Sequence, residues 1–201
     1  MNFNKLLILS LILCMGLIAN AQEVIRTNIK IKNYKPGIQE IELTFSSFIL
    51  DISSEGEVFF QSAEGSGNYR DLEVTYYDNF NSSKSGKIKS IDGVPIDYYT
   101  EYDIHDKKGR VKSIGKMAVK YNNNFDIHDV SGTLKSIGDI DIKYNNAFDI
   151  HETKGTLKSI GPIKIEWYNS FDAKNLRGRI KSIKGNTPAL HVTRLSSRRD
   201  W

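Results

Sequence analysis

Past residue 40 the chain alternates apolar and polar positions in short runs, and the runs recur at one spacing. Ile140, Ile142 and Tyr144 stand apart by Asp141 and Lys143, and the same alternation places Met117, Val119 and Tyr121, then Val94, Ile96 and Tyr98, then Ile163, Ile165 and Trp167. A period of two is the mark of a β-strand with one buried face. Successive runs are offset by 23 residues. A second apolar element follows each at fixed distance: Lys-Ile-Lys-Ser-Ile at 87–91, Arg-Val-Lys-Ser-Ile at 110–114, Thr-Leu-Lys-Ser-Ile at 133–137 and 156–160, and Arg-Ile-Lys-Ser-Ile at 179–183. Between the two elements, Tyr102 to Gly109 aligns without a gap on Phe125 to Gly132, Phe148 to Gly155 and Phe171 to Gly178. Looser copies precede these, one with Leu72, Val74, Tyr76 and Phe80 before Gly86, one with Ile41, Leu43 and Phe45 before Gly56, and Ile29 and Ile31 suggest a capping strand.

Turn chemistry sets the direction of neighbouring strands. Asp92-Gly93, Gly115-Lys116, Gly138-Asp139 and Gly161-Pro162 fit two-residue hairpin loops, which need positive φ. The glycines at 109, 132 and 155 close a longer connection. The expectation is an all-β chain, an antiparallel β-meander of about six 23-residue hairpin repeats forming an elongated twisted sheet; a β-solenoid with one coil per repeat is the alternative. In the meander the long arm runs from Ile140 to about Ile150 and buries Phe148 and Ile150 with the rest. A two-residue turn at Gly138-Asp139 would place Lys135 on the apolar face, so a bulge at Lys-Ser, or a snorkelling lysine, is required. The division is 1–21 leader, 22–71 capping strands with a degenerate repeat, 72–185 repeat array, and 186–201 a basic C-terminal tail.

Repetition weighs on the candidate chemistry. An active site needs one constellation, whereas a side chain present in every unit serves every unit. The serines of Lys-Ser-Ile are therefore expected to settle local backbone bonds. The ring columns Tyr98, Tyr121, Tyr144, Trp167 and Tyr102, Phe125, Phe148, Phe171 are expected to stack on the buried face; a ring-lined platform for sugars would need them to face solvent. Asp103 and His105, Asp126 and His128, and Asp149 and His151 would project from one strand face as carboxylate–imidazole pairs, the candidate metal site. Lys89, Lys112, Lys135, Lys158 and Lys181 form a column that could follow a polyanion or keep the sheet soluble. No cofactor is implied. Motifs of hydrolases, metalloproteases, phosphate loops and dinucleotide folds are missing from the sequence.

The first 21 residues change the picture of location. Lys5, the apolar run Leu6 to Ile18 and Ala19-Asn20-Ala21 have the form of a secretory signal peptide. They also contain the single cysteine, Cys14, whose lipid anchoring is disfavoured by the bulky Leu13 before it. With 39% hydrophobic and 26% charged residues the chain suits a globular or repeat domain. Charge is uneven: residues 174–201 hold 8 basic side chains and one acid, while 22–173 hold 19 basic and 23 acidic. No later stretch has the ~20 apolar residues of a membrane-spanning helix, and no nucleic-acid motif is present.

With Gly-Lys-Ile-Lys-Ser-Ile at 86–91, Ile-Asp-Tyr-Tyr at 96–99 and Gly-Thr-Leu-Lys-Ser-Ile-Gly at 132–138, the chain resembles a group of uncharacterised exported bacterial β-repeat proteins over residues 72–185. The resemblance implies no activity. MORN repeats are similar in period and hairpin only, because their paired glycines are missing. The functional expectation is an exported, non-enzymatic β-repeat protein of the periplasm or cell surface, structural or binding, with a cell-envelope glycan or protein as partner. The alternative is a metal or small-ligand (glycan) binder using the Asp-x-His column.

Overall fold

The computed structural model describes residues 22–33, 37–63, 72–80 and 83–195, so the expected leader, residues 1–21 with Cys14, lies outside the described residues. All fifteen elements among them are strands. The first four are β1 (Arg26–Lys32), β2 (Ile38–Thr44), β3 (Phe48–Ser53) and β4 (Val58–Ser62). The repeat array supplies β5 (Val74–Tyr76), β6 (Ile88–Ile91), β7 (Val94–Tyr98), β8 (Val111–Ile114), β9 (Met117–Tyr121), β10 (Leu134–Ile137), β11 (Ile140–Tyr144), β12 (Leu157–Ile160), β13 (Ile163–Trp167) and β14 (Ile180–Lys184). The last is β15 (Leu190–Leu195).

Strands β5 to β14 pair in chain order as one ten-stranded antiparallel meander, open because β5 and β14 do not meet. Its tight hairpins are the expected ones. Asp92 and Gly93 both adopt positive φ, and Ile91 faces Val94 across them. The glycines that close the long connections share one backbone setting, with φ of +83° at Gly109, +83° at Gly132 and +85° at Gly155. Each donates its N–H across the base of its loop, Gly132 to the Asn122 carbonyl at 2.6 Å and Gly155 to that of Asn145 at 2.7 Å. The 23-residue period is therefore architectural.

The bulge is present in every unit, and the lysine is its extra residue. Leu134 pairs with Tyr121 and Ser136 with Lys120, which leaves Lys135 unpaired between them. Lys89, Lys112, Lys158 and Lys181 are skipped in the same way. This explains why the short strand reads apolar-Lys-Ser-apolar. In a regular strand the two apolar residues, three apart, would face opposite sides; one extra residue returns both to the core. Leu157 and Ile160 are both fully buried.

Three expectations are corrected. The long arm stops at Tyr144 rather than near Ile150, and residues 145–156 form a loop. The copy that begins at Ile41 does not extend the array. It forms β2 and β3 of a second, five-stranded sheet ordered β15-β1-β2-β3-β4, so the meander holds five hairpin units. The basic C-terminal segment is not a tail up to Leu195. Strand β15 pairs in parallel with β1, Ile29 against Val192, and buries Leu190 and Val192.

The smaller sheet lies on the array, and their apolar faces merge into one core that includes Ile29, Leu43, Phe48, Ile96, Ile114, Tyr144 and Trp167. The polar ends of two buried rings are satisfied by backbone: Tyr144 donates to the Leu134 carbonyl at 3.0 Å and Trp167 Nε1 to that of Leu157 at 2.7 Å. At the seam Val111 N donates to the Gly56 carbonyl at 3.0 Å. Arg110 lies over the Tyr121 ring at 4.8 Å beside a cavity of about 260 Å³. Its Nε and the Tyr121 hydroxyl have no protein partner and are sealed from solvent.

Candidate functional site: the row of long loops

Because the strands alternate in direction, every second connection emerges at the same end of the meander. Loops 99–110, 122–133, 145–156 and 168–179 thus stand in a row, spaced by two strand separations, about 9.6 Å. Neighbouring loops touch. Arg110 Nη1 donates to the Gly132 carbonyl at 2.6 Å, and Asn169 Nδ2 donates to Glu152 Oε1 at 3.0 Å.

Each loop is built from its own sequence. Asn123 Oδ1 accepts the Phe125 N–H at 3.0 Å, while Asp126 Oδ2 accepts the Asn123 N–H at 3.0 Å. The pattern repeats at Asn146, Phe148 and Asp149 and at Asn169, Phe171 and Asp172, with Thr100 replacing the asparagine before Tyr102 and Asp103. Short polar side chains that replace backbone partners in this way favour turns over strands.

This loop chemistry decides the fate of the predicted sites. The aspartates and histidines do not stand on a strand face, so the carboxylate–imidazole pairs expected of it do not form. Asp103, Asp126 and Asp149 give one oxygen to the loop and the other to the bulged lysine nine residues on: Lys112 at 2.6 Å, Lys135 at 2.5 Å and Lys158 at 2.6 Å. Asp172 and Lys181 repeat this at 3.4 Å. The two columns read from the sequence as metal ligands and as a polyanion track therefore neutralise one another within each unit, and Lys89 alone of the five lysines lacks such an aspartate. His105, His128 and His151 turn instead toward the next loop, where their rings meet Phe125, Phe148 and Phe171 at 4.7, 5.1 and 4.6 Å between centroids.

The lysines hold Asp103, Asp126 and Asp149 below the usual carboxylate range, with the loop N–H adding to the effect; at Asp172 the Asn169 N–H leads. The sign follows from linkage. A carboxyl whose pKa is lower folded than unfolded contributes fully above the unfolded value, near 4, and loses that contribution as pH falls through the folded value. Melting temperature is expected to fall below about pH 4, and Asp126→Ala, losing about 1 kcal/mol at pH 7, is expected to show a shallower decline. Thermal unfolding between pH 7 and pH 2.5 measures both; parallel curves would contradict the assignment.

Among the described residues one set of three ligand groups does converge, at a place the sequence did not mark: Glu40, Glu42 and Asp51. Lys30 Nζ occupies its centre, 2.5 Å from Glu40 and 2.8 Å from Glu42. Burial, followed by the charge of Glu40, pushes Asp51 up to about 6. The lysine serves as the counter-ion, and the arrangement is a cross-strand charge cluster of β1, β2 and β3.

The feature that sequence reasoning misplaced is the second ring column. Tyr98, Tyr121, Tyr144 and Trp167 are buried as expected, but Tyr102, Phe125, Phe148 and Phe171 are 71 to 85% exposed. Two residues after each of the first three, Ile104, Ile127 and Ile150 are 77 to 80% exposed. Large apolar side chains thus repeat at equivalent, outward positions along one end of the meander, and clustered exposed apolar groups of this kind mark interaction surfaces. No family model, curated protein or solved structure matches the chain.

Proposed function

We propose that this chain is an exported, non-enzymatic β-repeat module of the periplasm or cell surface that binds through its row of long loops. One observation carries the reading: a ring and an isoleucine stand exposed at the same two positions of consecutive units. Exposed Phe and Ile contribute nothing to a core, and holding them in solvent is unfavourable, so their repetition needs a use outside the fold. A surface that repeats serves an extended partner, contacted several times at once, better than a single reacting molecule. The leader-like first 21 residues support a location outside the cytoplasm, and no helix among the described residues is long and apolar enough to cross a membrane.

The test compares residues 22–201 with the double variant Phe125→Ser/Phe148→Ser. Because both rings are mainly exposed, unfolding free energy is expected to change by less than about 0.5 kcal/mol. The parent protein is expected to co-sediment with isolated cell-envelope material and the folded variant to stay in the supernatant. Equal sedimentation of the two would remove the loops from the binding face.

A further inference from the structure

Resting on the loop-row reading above, we infer that the partner is the surface of an anionic phospholipid bilayer, which the ring–isoleucine tips enter to the depth of the headgroup and acyl boundary. Three properties of the loops point there.

The first is the chemistry of the exposed side chains. A sugar platform would use the ring faces and surround them with free hydrogen-bonding groups. Here three of the four rings are paired with a branched aliphatic side chain, among them Phe125 with Ile127 and Phe148 with Ile150, which offers a sugar hydroxyl nothing. Isoleucine and phenylalanine are the side chains whose transfer into hydrocarbon is most favourable. Each phenylalanine ring is also in contact with the histidine of the preceding loop, which reduces the ring area available for stacking on a sugar.

The second property is the state of the backbone. Entering the boundary is costly for an irregular loop whose N–H groups depend on water. In these loops part of that need is met internally. In the loop of Phe148, the N–H groups of Asn146, Phe148, Asp149, Glu152, Gly155 and Thr156 all donate within the same loop. The aspartate beneath each of these two tips, Asp126 or Asp149, is already paired with its lysine, which lowers the cost of bringing it toward the lipid.

The third is charge. The four loops, counted with the lysines that reach back to them, hold 11 basic and 8 acidic side chains, net +3. The excess lies at the Phe171 end, where Lys174, Arg177 and Arg179 accompany Asp172. A net positive, apolar-tipped edge complements an anionic surface, with apolar insertion and electrostatic attraction adding.

Flotation of residues 22–201 with vesicles of phosphatidylcholine, alone and with about 30 mol% phosphatidylglycerol to supply an anionic surface, tests the inference. Binding is expected to the mixed vesicles, more weakly to the neutral ones, with salt removing only the difference. Phe148→Ser/Ile150→Ser is expected to need about a hundredfold more lipid, roughly tenfold for each large apolar side chain, at unchanged melting temperature. Phe148→Trp is expected to shift its emission to the blue on mixed vesicles. No flotation at millimolar lipid, or equal flotation of the double variant, overturns the bilayer assignment. Retention on insoluble cell-wall glycan that the double variant loses, without vesicle binding, also overturns it while leaving the loop row as binding face. Binding to neither vesicles, glycan nor envelope material ends both.

Discussion

Deletion of residues 188–201 is expected to lower the unfolding free energy by about 3–6 kcal/mol, the value of burying two large aliphatic side chains. Leu190 and Val192 are the two, inserted into the common core from β15. The same deletion removes the parallel partner of β1 from Thr27 to Lys32 and the bond from Thr27 N to the Ala189 carbonyl at 2.8 Å. It also turns β1, an interior strand of its sheet, into an unprotected edge, with aggregation as the expected companion. For a chain of this size the melting temperature should drop by about 10–20 °C. Denaturant titration of residues 22–187 against 22–201 measures it. An unchanged midpoint would mean that the segment is the solvated tail its positive charge suggests.

That the segment looks like a tail in the sequence, and is a strand in the fold, has a physical reason. Leu190, Val192 and Arg194 alternate with His191, Thr193 and Leu195, a weak period of two whose partner strand lies more than 150 residues away. Nothing local specifies a parallel pairing of that range, and Arg198 and Arg199 draw attention to charge. The meander was legible for the opposite reason: every strand in it pairs with its neighbour in the chain, across turns whose residues announce positive φ. The lysine bulge was legible as one of two ways, a snorkelling lysine being the other, to keep Lys135 off the apolar face, and the extra residue is the one the fold uses.

The loops were misread because two signals conflicted. Phe148 and Ile150 continue the alternation of Ile140, Ile142 and Tyr144, which favours a longer strand. Asn145, Asn146 and Asp149 favour a turn, and they prevail because the asparagine and aspartate side chains satisfy the backbone without a partner strand. On a continued strand the second ring column would lie in the core; in the turn it lies at the surface, and the candidate site lies there with it. The residues of the proposed metal site fared likewise: on a strand Asp149 and His151 would share a face, whereas in the turn the carboxylate closes the loop and the imidazole meets the next unit's Phe171.

The seam between the two sheets is the other place where one side chain should have a large effect. Gly56 has φ of +78°, and a Cβ there would lie 2.9 Å from Arg110 Cβ and 2.8 Å from the Tyr121 hydroxyl. Arg110 and Tyr121 are buried, and each is braced by the other through the stacked guanidinium. Gly56→Ala therefore combines left-handed strain with a contact that neither neighbour can relieve outward. A cost of about 2–4 kcal/mol is expected. Gly86→Ala provides the comparison, because its φ is +71° but nothing lies within 4 Å of its Cβ position. Only the backbone strain remains there, about 1–2 kcal/mol. The difference between the two variants in chemical denaturation reports the closeness of the sheets at the seam. Equal costs would show that the five-stranded sheet stands further from the array than the bond from Val111 N to the Gly56 carbonyl requires.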